Sequence, residues 1–232
     1  MSAEATRSTL SENVLTDPQV PHIIVRFPVQ GKTLPADHGY ALYSALSRRL
    51  PEFHTARWLA VELISGVPWR QGIIALPTRS AALNLRLPAD AFGKVMRLAG
   101  TRLEIEGHQL TLGIPVARPL TPAASLYARF VTIRNSTEAE PFLDAAKRQL
   151  DKLGITTATL ELPRDEQGRF RRRIIKIKAA SIVGFSLAAH DLTDDDSIKL
   201  QTHGLGGRRK MGCGSFNPIR FLTPATNQIS AT

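Results

Sequence analysis

The sequence has a single cysteine, few aromatic residues and no long apolar run. Cys213 alone cannot build a disulfide framework or a multi-cysteine zinc site, so both classes of small scaffold are excluded. No stretch approaches the roughly 20 apolar residues of a membrane helix. The first residues lack the basic start and apolar run of a secretory signal. We therefore expect a cytoplasmic protein with no membrane association.

What the sequence has is apolar content for a core and an excess of positive charge. Of the 232 residues, 43% are hydrophobic, which suits one large domain or two small ones and excludes disorder throughout. Lys and Arg number 30 against 20 Asp and Glu, for a formal net charge of +10. The sharpest basic concentrations are at 164–178 and 208–210. This balance indicates a polyanionic partner, most simply a nucleic acid.

Strand-like and helix-like segments alternate twice in the order β-α-β-β-α-β. Asp37 is a plausible N-cap for a first helix ending near Leu50, and a second helix is predicted over 88–98. This order is the split β-α-β pattern of a ferredoxin-like (RRM-like) fold, so we predict an α+β protein with two such domains in tandem. The predicted divisions are a flexible tail at 1–20, a first domain at 21–114, a proline-rich linker at 115–125, a second domain at 126–222 and a tail at 223–232.

The most informative segment is a glycine-rich loop, GLGGRRKMGCGSF, that begins at Gly204. Its five glycines let the backbone adopt positive φ and come close to a phosphate, while Arg208, Arg209 and Lys210 supply positive charge. The glycine spacing fits neither a Walker A loop nor a Rossmann fingerprint. A flexible basic turn is the alternative interpretation.

This chain resembles the CRISPR-associated endoribonucleases that cut repeat RNA into guide RNAs. That family has a C-terminal signature of glycine–hydrophobic–glycine, about five mostly basic or polar residues, and a second glycine–hydrophobic–glycine. Gly204-Leu205-Gly206 and Gly212-Cys213-Gly214 match it. The stretch FPVQGKTLPADHGYALYSALSRRLPEFH is similar to the first strand, loop and helix of one subtype. The resemblance covers roughly residues 20 to 222 and implies two tandem ferredoxin-like domains.

The resemblance also implies a reaction. Members cut RNA without a metal or other cofactor: a ribose 2′-hydroxyl attacks the adjacent phosphate and leaves a 2′,3′-cyclic phosphate and a 5′-hydroxyl. The implied partners are CRISPR repeat RNA, whose 3′ stem-loop stays bound after cleavage, and a multisubunit guide-RNA complex of the Cascade type. Members often place a catalytic histidine in or just after the first helix of the first domain.

Two histidines and two tyrosines are the candidate catalytic residues. His38 starts the predicted first helix and ranks first, and His54 follows that helix and ranks second. Tyr43 and Tyr40 share one helix face, and Tyr43 stands where some relatives carry the histidine. In the alternative interpretation His38 only caps the helix, His54 is a loop residue, and the tyrosines pack at the edge of the core.

The candidate RNA-binding residues lie in the second domain. A strand cannot bury basic side chains on both of its faces, so the hairpin near 164–178 presents charge to solvent or to a ligand, or else protects a sheet edge. His203 adjoins the glycine-rich loop and is a candidate RNA contact. The predicted RNA-binding set is Arg169, Arg171, Arg172, Arg173, Lys176, Lys178, Gly204, Gly206, Gly207, Arg208, Arg209, Lys210, Gly212 and Gly214.

Three other functions remain open. A non-catalytic RNA-binding subunit would have the same fold and would bind RNA in the same way without cutting it. A general RNA-binding protein is disfavoured because the RNP-type aromatic pattern is absent. A metal-dependent phosphodiesterase is disfavoured because no Asp, Glu and His cluster has ligand spacing. The acidic run Asp194-Asp195-Asp196 is better explained as a helix N-terminus.

Overall fold

The computed structural model describes residues 20–177 and 180–219, and Lys178 lies outside this range, as does the side chain of Lys176. No helix in the described part of the chain is long and apolar enough to cross a membrane. The strands and α-helices have the following bounds: β1 His22–Gln30, β2 Thr33–Pro35, α1 Gly39–Arg49, β3 Ala60–Val61, β4 Val67–Arg70, β5 Ile73–Ala75, β6 Ala82–Pro88, α2 Phe92–Val95, β7 Arg102–Ile105, β8 His108–Leu112, β9 Val116–Pro119, β10 Leu126–Val131, α3 Ala139–Lys152, β11 Thr159–Glu161, β12 Arg172–Ile177, β13 Ala180–His190, α4 Asp194–His203 and β14 Asn217–Pro218.

The two halves of the chain form antiparallel sheets with the same strand order. The first sheet runs β3-β6-β1-β8-β7 and the second runs β11-β13-β10-β14. In each half the first and third strands of the motif are central and the second and fourth lie outside them, with one helix in each crossover. This is the ferredoxin-like arrangement, and the predicted fold class is confirmed.

Helix α1 forms where the apolar spacing predicts it. Leu42, Ala45 and Leu46 recur at helical spacing and are buried against the first sheet. The helix begins two residues after the predicted cap, with His38 at the N-cap position and no side-chain capping hydrogen bond. Pro51 then opens a short 3₁₀ turn that ends at His54, so the chain folds back beside the helix it has just left.

The predicted helix at 88–98 is broken into three pieces. A 3₁₀ turn at Ala89–Ala91, the single turn of α2 and a second 3₁₀ turn at Met96–Leu98 follow one another. Gly93 lies inside α2, and glycine lowers helix stability by about 1 kcal/mol relative to alanine. The segment therefore covers the core through Val95 and Leu98 without forming one continuous helix.

Part of the predicted linker is a strand. Residues 116–119 form β9, which pairs with β1 from Ile23↔Pro119 to Arg26↔Val116. All four side chains of β9 are exposed, so no alternation of apolar and polar residues marked it in the sequence. The first sheet therefore extends past the first proline of the segment.

A buried arginine joins the two domains. Arg86 on β6 has no exposed surface and forms an ion pair with Glu62 at 2.8 Å. Its Nη1 donates to the backbone carbonyls of Gln201 and Phe216, at 2.6 and 2.8 Å, and its Nη2 donates to the side chain of Asn217. A side chain of the first domain thus supplies donors to carbonyls at the end of α4 and beside β14 in the second.

Candidate active site

His38 is buried and fully bonded. Only 1% of its surface is exposed. Its Nδ1 lies 2.7 Å from the Pro35 carbonyl oxygen, and its Nε2 accepts the Ile64 backbone N–H at 3.1 Å. A carbonyl can only accept, so Nδ1 carries the proton and the imidazole is neutral. Burial lowers the pKa of His38, because the charged form is poorly solvated there.

A cavity adjoins His38 without making its nitrogens available. The cavity has a volume of about 220 Å³, and its wall includes Arg70, Arg129 and Arg173. Because both ring nitrogens of His38 already have backbone partners, neither can take a substrate proton unless a buried bond breaks. The catalytic role of His38 stays a prediction that these buried bonds disfavour.

His54 lies in the opposite environment. It is exposed, and its Nδ1 lies 3.2 Å from the Tyr43 hydroxyl. The two rings meet edge to face, with centroids 5.9 Å apart and planes at 82°. Within the described residues His54 Nε2 has no hydrogen-bond partner. Tyr40, one helical turn before Tyr43, is half-buried and has no recorded contact with His54 among the described residues.

The glycine-rich loop brings a lysine to this pair. Lys210 Nζ donates to the carbonyl oxygens of Phe53 and His54, at 2.9 and 2.8 Å. These carbonyls end the 3₁₀ turn after α1, where a cation is favourable. The same ammonium lies 5.5 Å from the centroid of the Tyr43 ring. Tyr43, His54 and Lys210 therefore form one cluster, and its members come from both domains.

The glycines of the loop serve packing. A Cβ atom at Gly206 would collide with the Thr132 carbonyl, and one at Gly214 would collide with the Leu205 carbonyl. The Gly206, Gly207 and Gly214 N–H groups donate to acceptors within the protein, so they are not free to cradle a phosphate as the sequence argument supposed. The positive φ of Gly204, Gly206, Gly212 and Gly214 gives the loop its shape.

The three basic residues of the loop differ in exposure. Arg208 is exposed. Arg209 Nη2 donates to the Thr202 carbonyl at 2.8 Å, and burial, with a smaller effect from Arg86, lowers its pKa to about 10. Lys210 is bound at the cluster described above. Only Arg208 therefore presents its charge freely to solvent.

The basic hairpin flanks a cavity on the second sheet. Exposed Arg171, Arg172 and Arg173 line a space of about 470 Å³ together with the aromatic side chains of Tyr127 and Phe170. Arg169 lies in the turn, where it pairs with Asp165 at 3.0 Å. Arginines beside aromatic rings can hold a nucleic-acid backbone and stack on its bases.

Sequence reasoning missed two features of this region. Arg129 on β10 lines the cavities beside both His38 and the hairpin arginines. Burial lowers its pKa, and the nearby charge of Arg173 adds to that effect. Period-2 alternation along β10 could have placed it on the face opposite the core. Lys210 was assigned to RNA binding alone, because its contact with His54 spans 156 residues.

No group of three or more His, Cys, Asp or Glu side chains in the described ranges could hold a metal ion. The acidic residues Asp194, Asp195 and Asp196 occupy the first turn of α4, and the Thr193 side chain accepts the Asp196 N–H there. They stabilise the positive end of the helix.

Comparisons with known proteins agree on one family. The model of the family Cas6, described as "Cas6 Crispr", matches residues 23–220. The CRISPR-associated endonuclease Cas6 of Myxococcus xanthus (strain DK1622) is 40% identical over 192 residues, which cover 83% of this chain and 79% of that protein.

Two solved structures share the fold. One is a CRISPR-associated protein Cas6, with a TM-score of 0.60 and 14% identity over 86% of this chain and 100% of that one. The other is a Cas6-related protein from Pyrococcus furiosus, with a TM-score of 0.63 and 12% identity over 85% of this chain and 98% of that one. With the match to the family model over residues 23–220, these findings establish that the chain belongs to the Cas6 family of CRISPR proteins.

Proposed function

We propose that this chain is an endoribonuclease that cuts CRISPR repeat RNA without a metal, by attack of a ribose 2′-hydroxyl on the adjacent phosphate. The observation that carries the proposal is the Tyr43–His54 pair, 3.2 Å apart, exposed beside the ammonium of Lys210. Membership in the Cas6 family and the relative named as an endonuclease support the RNA substrate and the reaction class.

His54 acts as the base through its Nε2. When Nδ1–H donates to the Tyr43 oxygen, Nε2 carries the lone pair and takes the proton of the attacking 2′-hydroxyl. The 2′-oxygen then bonds to phosphorus and the bond to the 5′-oxygen breaks. Tyr43 still has its own O–H, which donates a proton towards the leaving 5′-oxygen. The products are a 2′,3′-cyclic phosphate and a 5′-hydroxyl.

Lys210 stabilises the charge on the phosphorus centre. An ammonium has three N–H donors, and two of them bind the Phe53 and His54 carbonyls. The third remains for a non-bridging phosphate oxygen. Because the other two hold Nζ in place, the charge is preorganised for the transition state.

His38 is proposed as a positioning residue. Its two backbone bonds tie the loop before α1 to Ile64, in the segment between β3 and β4, and α1 carries Tyr43. Tyr40 lies on the same helix and has no assigned step in this reaction.

The arginine-lined cavity is proposed to hold the RNA. Arg171, Arg172 and Arg173 supply charge for the phosphates, and Tyr127 and Phe170 offer rings for unpaired bases. We propose that the cut RNA stays on this surface through its 3′ stem-loop. The bound product would then enter a multisubunit guide-RNA complex in the cytoplasm.

The test is cleavage of the chain's own CRISPR repeat RNA in EDTA, with a matched RNA that has 2′-deoxyribose at the cut site. We expect cutting in EDTA, a cyclic phosphate end detected by mass spectrometry, and no cutting of the deoxy RNA. Tyr43→Phe is the variant to compare with wild type, because it keeps the ring beside Lys210 and removes only the hydroxyl.

Two results would contradict the proposal. Tight binding of the repeat RNA with no cutting would assign the chain as a non-catalytic RNA-binding subunit. Cutting that fails in EDTA and returns with magnesium would replace the 2′-hydroxyl mechanism with a metal-dependent one.

A further inference from the structure

A third cavity lies where the two domains meet, apart from the Tyr43–His54–Lys210 cluster. Its volume is about 310 Å³, at the lower end of the ~300–1,000 Å³ range of small-ligand pockets. The first domain supplies His22 from β1, Trp58, and Lys94 from α2, and the second supplies His203 from the end of α4. We call this space the seam pocket.

Trp58 gives the seam pocket an aromatic wall. Its ring is half-buried and meets Phe53 edge to face, with centroids 6.4 Å apart. The exposed ammonium of Lys94 lies 5.7 Å from the Trp58 ring centroid. An aromatic face beside a flexible cation is suited to a nucleobase with its phosphate, because every base can stack and every nucleotide carries negative charge.

The other side of the seam pocket is positively polarised. Burial lowers the pKa of His22 and of His203, and the nearby charge of Arg209 lowers both further. Arg86 adds to the effect at His22. The Nε atoms of Arg86 and Arg209 are buried and have no partner among the described residues. Arg209 binds the carbonyl of the lining residue Thr202, so its guanidinium lies next to this wall and favours an anion there.

The seam pocket adjoins the candidate active site at two points. Phe53, which contacts Trp58, directly precedes His54 in the chain and offers its carbonyl to Lys210. Arg209 donates to the carbonyl of Thr202, a lining residue of the seam pocket. The walls of the seam pocket are therefore joined to the candidate active site through Phe53 and Arg209.

We propose that the seam pocket binds one nucleotide of the RNA strand, with its base on Trp58 and its phosphate at His22, His203 and Lys94. Asp90 on the rim accepts a hydrogen bond from an amino group of the base. The assignment to the RNA strand rests on the proposed function, whereas the nucleotide chemistry does not, because a free nucleotide carries the same groups.

Trp58 reports directly on the proposal. The chain has two tryptophans, so Trp69→Phe leaves Trp58 as the single indole fluorophore. We expect quenching when the repeat RNA with 2′-deoxyribose at the cut site is added. Free nucleoside 5′-monophosphates, added separately, test the other source. Trp58→Phe, which leaves Trp69, should show no quenching.

Affinity provides the second readout. In the same background Lys94→Gln should weaken binding of the deoxy RNA more than Lys32→Gln, which removes an equal charge at an exposed site elsewhere. Trp58→Leu should weaken it roughly 5- to 150-fold, the equivalent of one stacked base. Lys94→Gln keeps the test valid if Trp58→Leu does not fold, because the Lys94 side chain is exposed.

The outcomes separate this proposal from the proposed function. RNA that is cut normally while Trp58 stays unquenched, with Lys94→Gln equal to Lys32→Gln, overturns the seam pocket alone. Quenching by the deoxy RNA, together with no cutting of the unmodified repeat RNA, overturns the nuclease and supports the pocket. Quenching by free nucleotides but not by RNA overturns the assignment to the RNA strand and supports a site for free nucleotides.

Discussion

Helix α1 is flanked by a histidine at each end, and the two regions differ in every property that decides a histidine's role. At the start of the helix, His38 is 1% exposed and gives both ring nitrogens to the backbone. After its end, His54 is exposed and gives one nitrogen to Tyr43. Proximity to the helix therefore does not distinguish a base from a structural residue. A free nitrogen at a surface does.

The largest expected effect is at the exposed end. His54→Ala should slow single-turnover cleavage in EDTA by about 10²–10⁴-fold, because the general base is lost. The urea midpoint should stay unchanged, since the side chain is exposed. His108→Ala, at the half-buried His108, is the matched control and should keep the wild-type rate. An unchanged cleavage rate in His54→Ala would show that His54 is not the general base.

Substitution of His38, at the buried start of α1, should lower the stability of the fold. His38→Ala strands the Ile64 N–H and the Pro35 carbonyl, and each buried orphan costs about 1–3 kcal/mol. We expect a loss of about 2–5 kcal/mol in the free energy of unfolding, measured by urea denaturation, and cleavage by the folded fraction. His38→Gln can keep the acceptor for Ile64 and should lose less. A His38→Ala protein that is fully stable but inactive would make His38 the catalytic residue.

Substitution of Lys210 tests whether the site near His54, after the end of α1, needs a residue from the second domain. Lys210→Gln removes the ammonium but keeps a donor for the Phe53 and His54 carbonyls. Because a hydrogen bond to a charged group contributes about 1.5–3 kcal/mol, cleavage should slow by roughly 10- to 150-fold. Arg208→Gln, which removes the neighbouring exposed charge, should weaken RNA binding and change the saturated rate much less. Equal effects of the two variants on the saturated cleavage rate would show that Lys210 contributes only general positive charge, as Arg208 does.

The smallest effect is in the pH dependence of stability. Burial lowers the pKa of His38 below its usual 6.5, so the unfolded chain takes up a proton there before the folded chain does. The stability from the neutral ring is complete above pH 6.5 and is lost as the pH falls towards the folded-state pKa. The free energy of unfolding, measured by urea denaturation, should therefore fall more steeply between pH 7.5 and 5 for wild type than for His38→Gln. Parallel curves would show that His38 is not held neutral.

The fold was predictable where the signal was local. The apolar spacing of Leu42, Ala45 and Leu46 placed α1, and the repeated element order gave both ferredoxin-like domains. The break in the helix at 88–98 and the strand at 116–119 were not foreseen, because Gly93 interrupts one pattern and β9 has no buried face to mark it.

The residues of the site could be predicted from the sequence, but their individual roles could not. Tyr43 and His54 are 11 positions apart, and the turn at Pro51 brings them together. The bond from Ile64 that occupies His38 comes from 26 positions away, and Lys210 arrives from the other domain. No local pattern encodes such contacts. The glycines were noticed for phosphate binding, whereas the close approach of the Thr132 and Leu205 carbonyls requires Gly206 and Gly214.

Arg86 has a consequence for recombination between relatives. Its guanidinium, folded away in the first domain, finds its acceptors at Gln201, Phe216 and Asn217 in the second. A chimera that joins this first domain to the second domain of a relative must present carbonyls at the same three places. Otherwise the buried guanidinium keeps its ion pair with Glu62 but loses its acceptors in the second domain, at a cost of about 1.5–3 kcal/mol for each hydrogen bond lost. The two domains repeat one architecture, yet Arg86 makes them a matched pair.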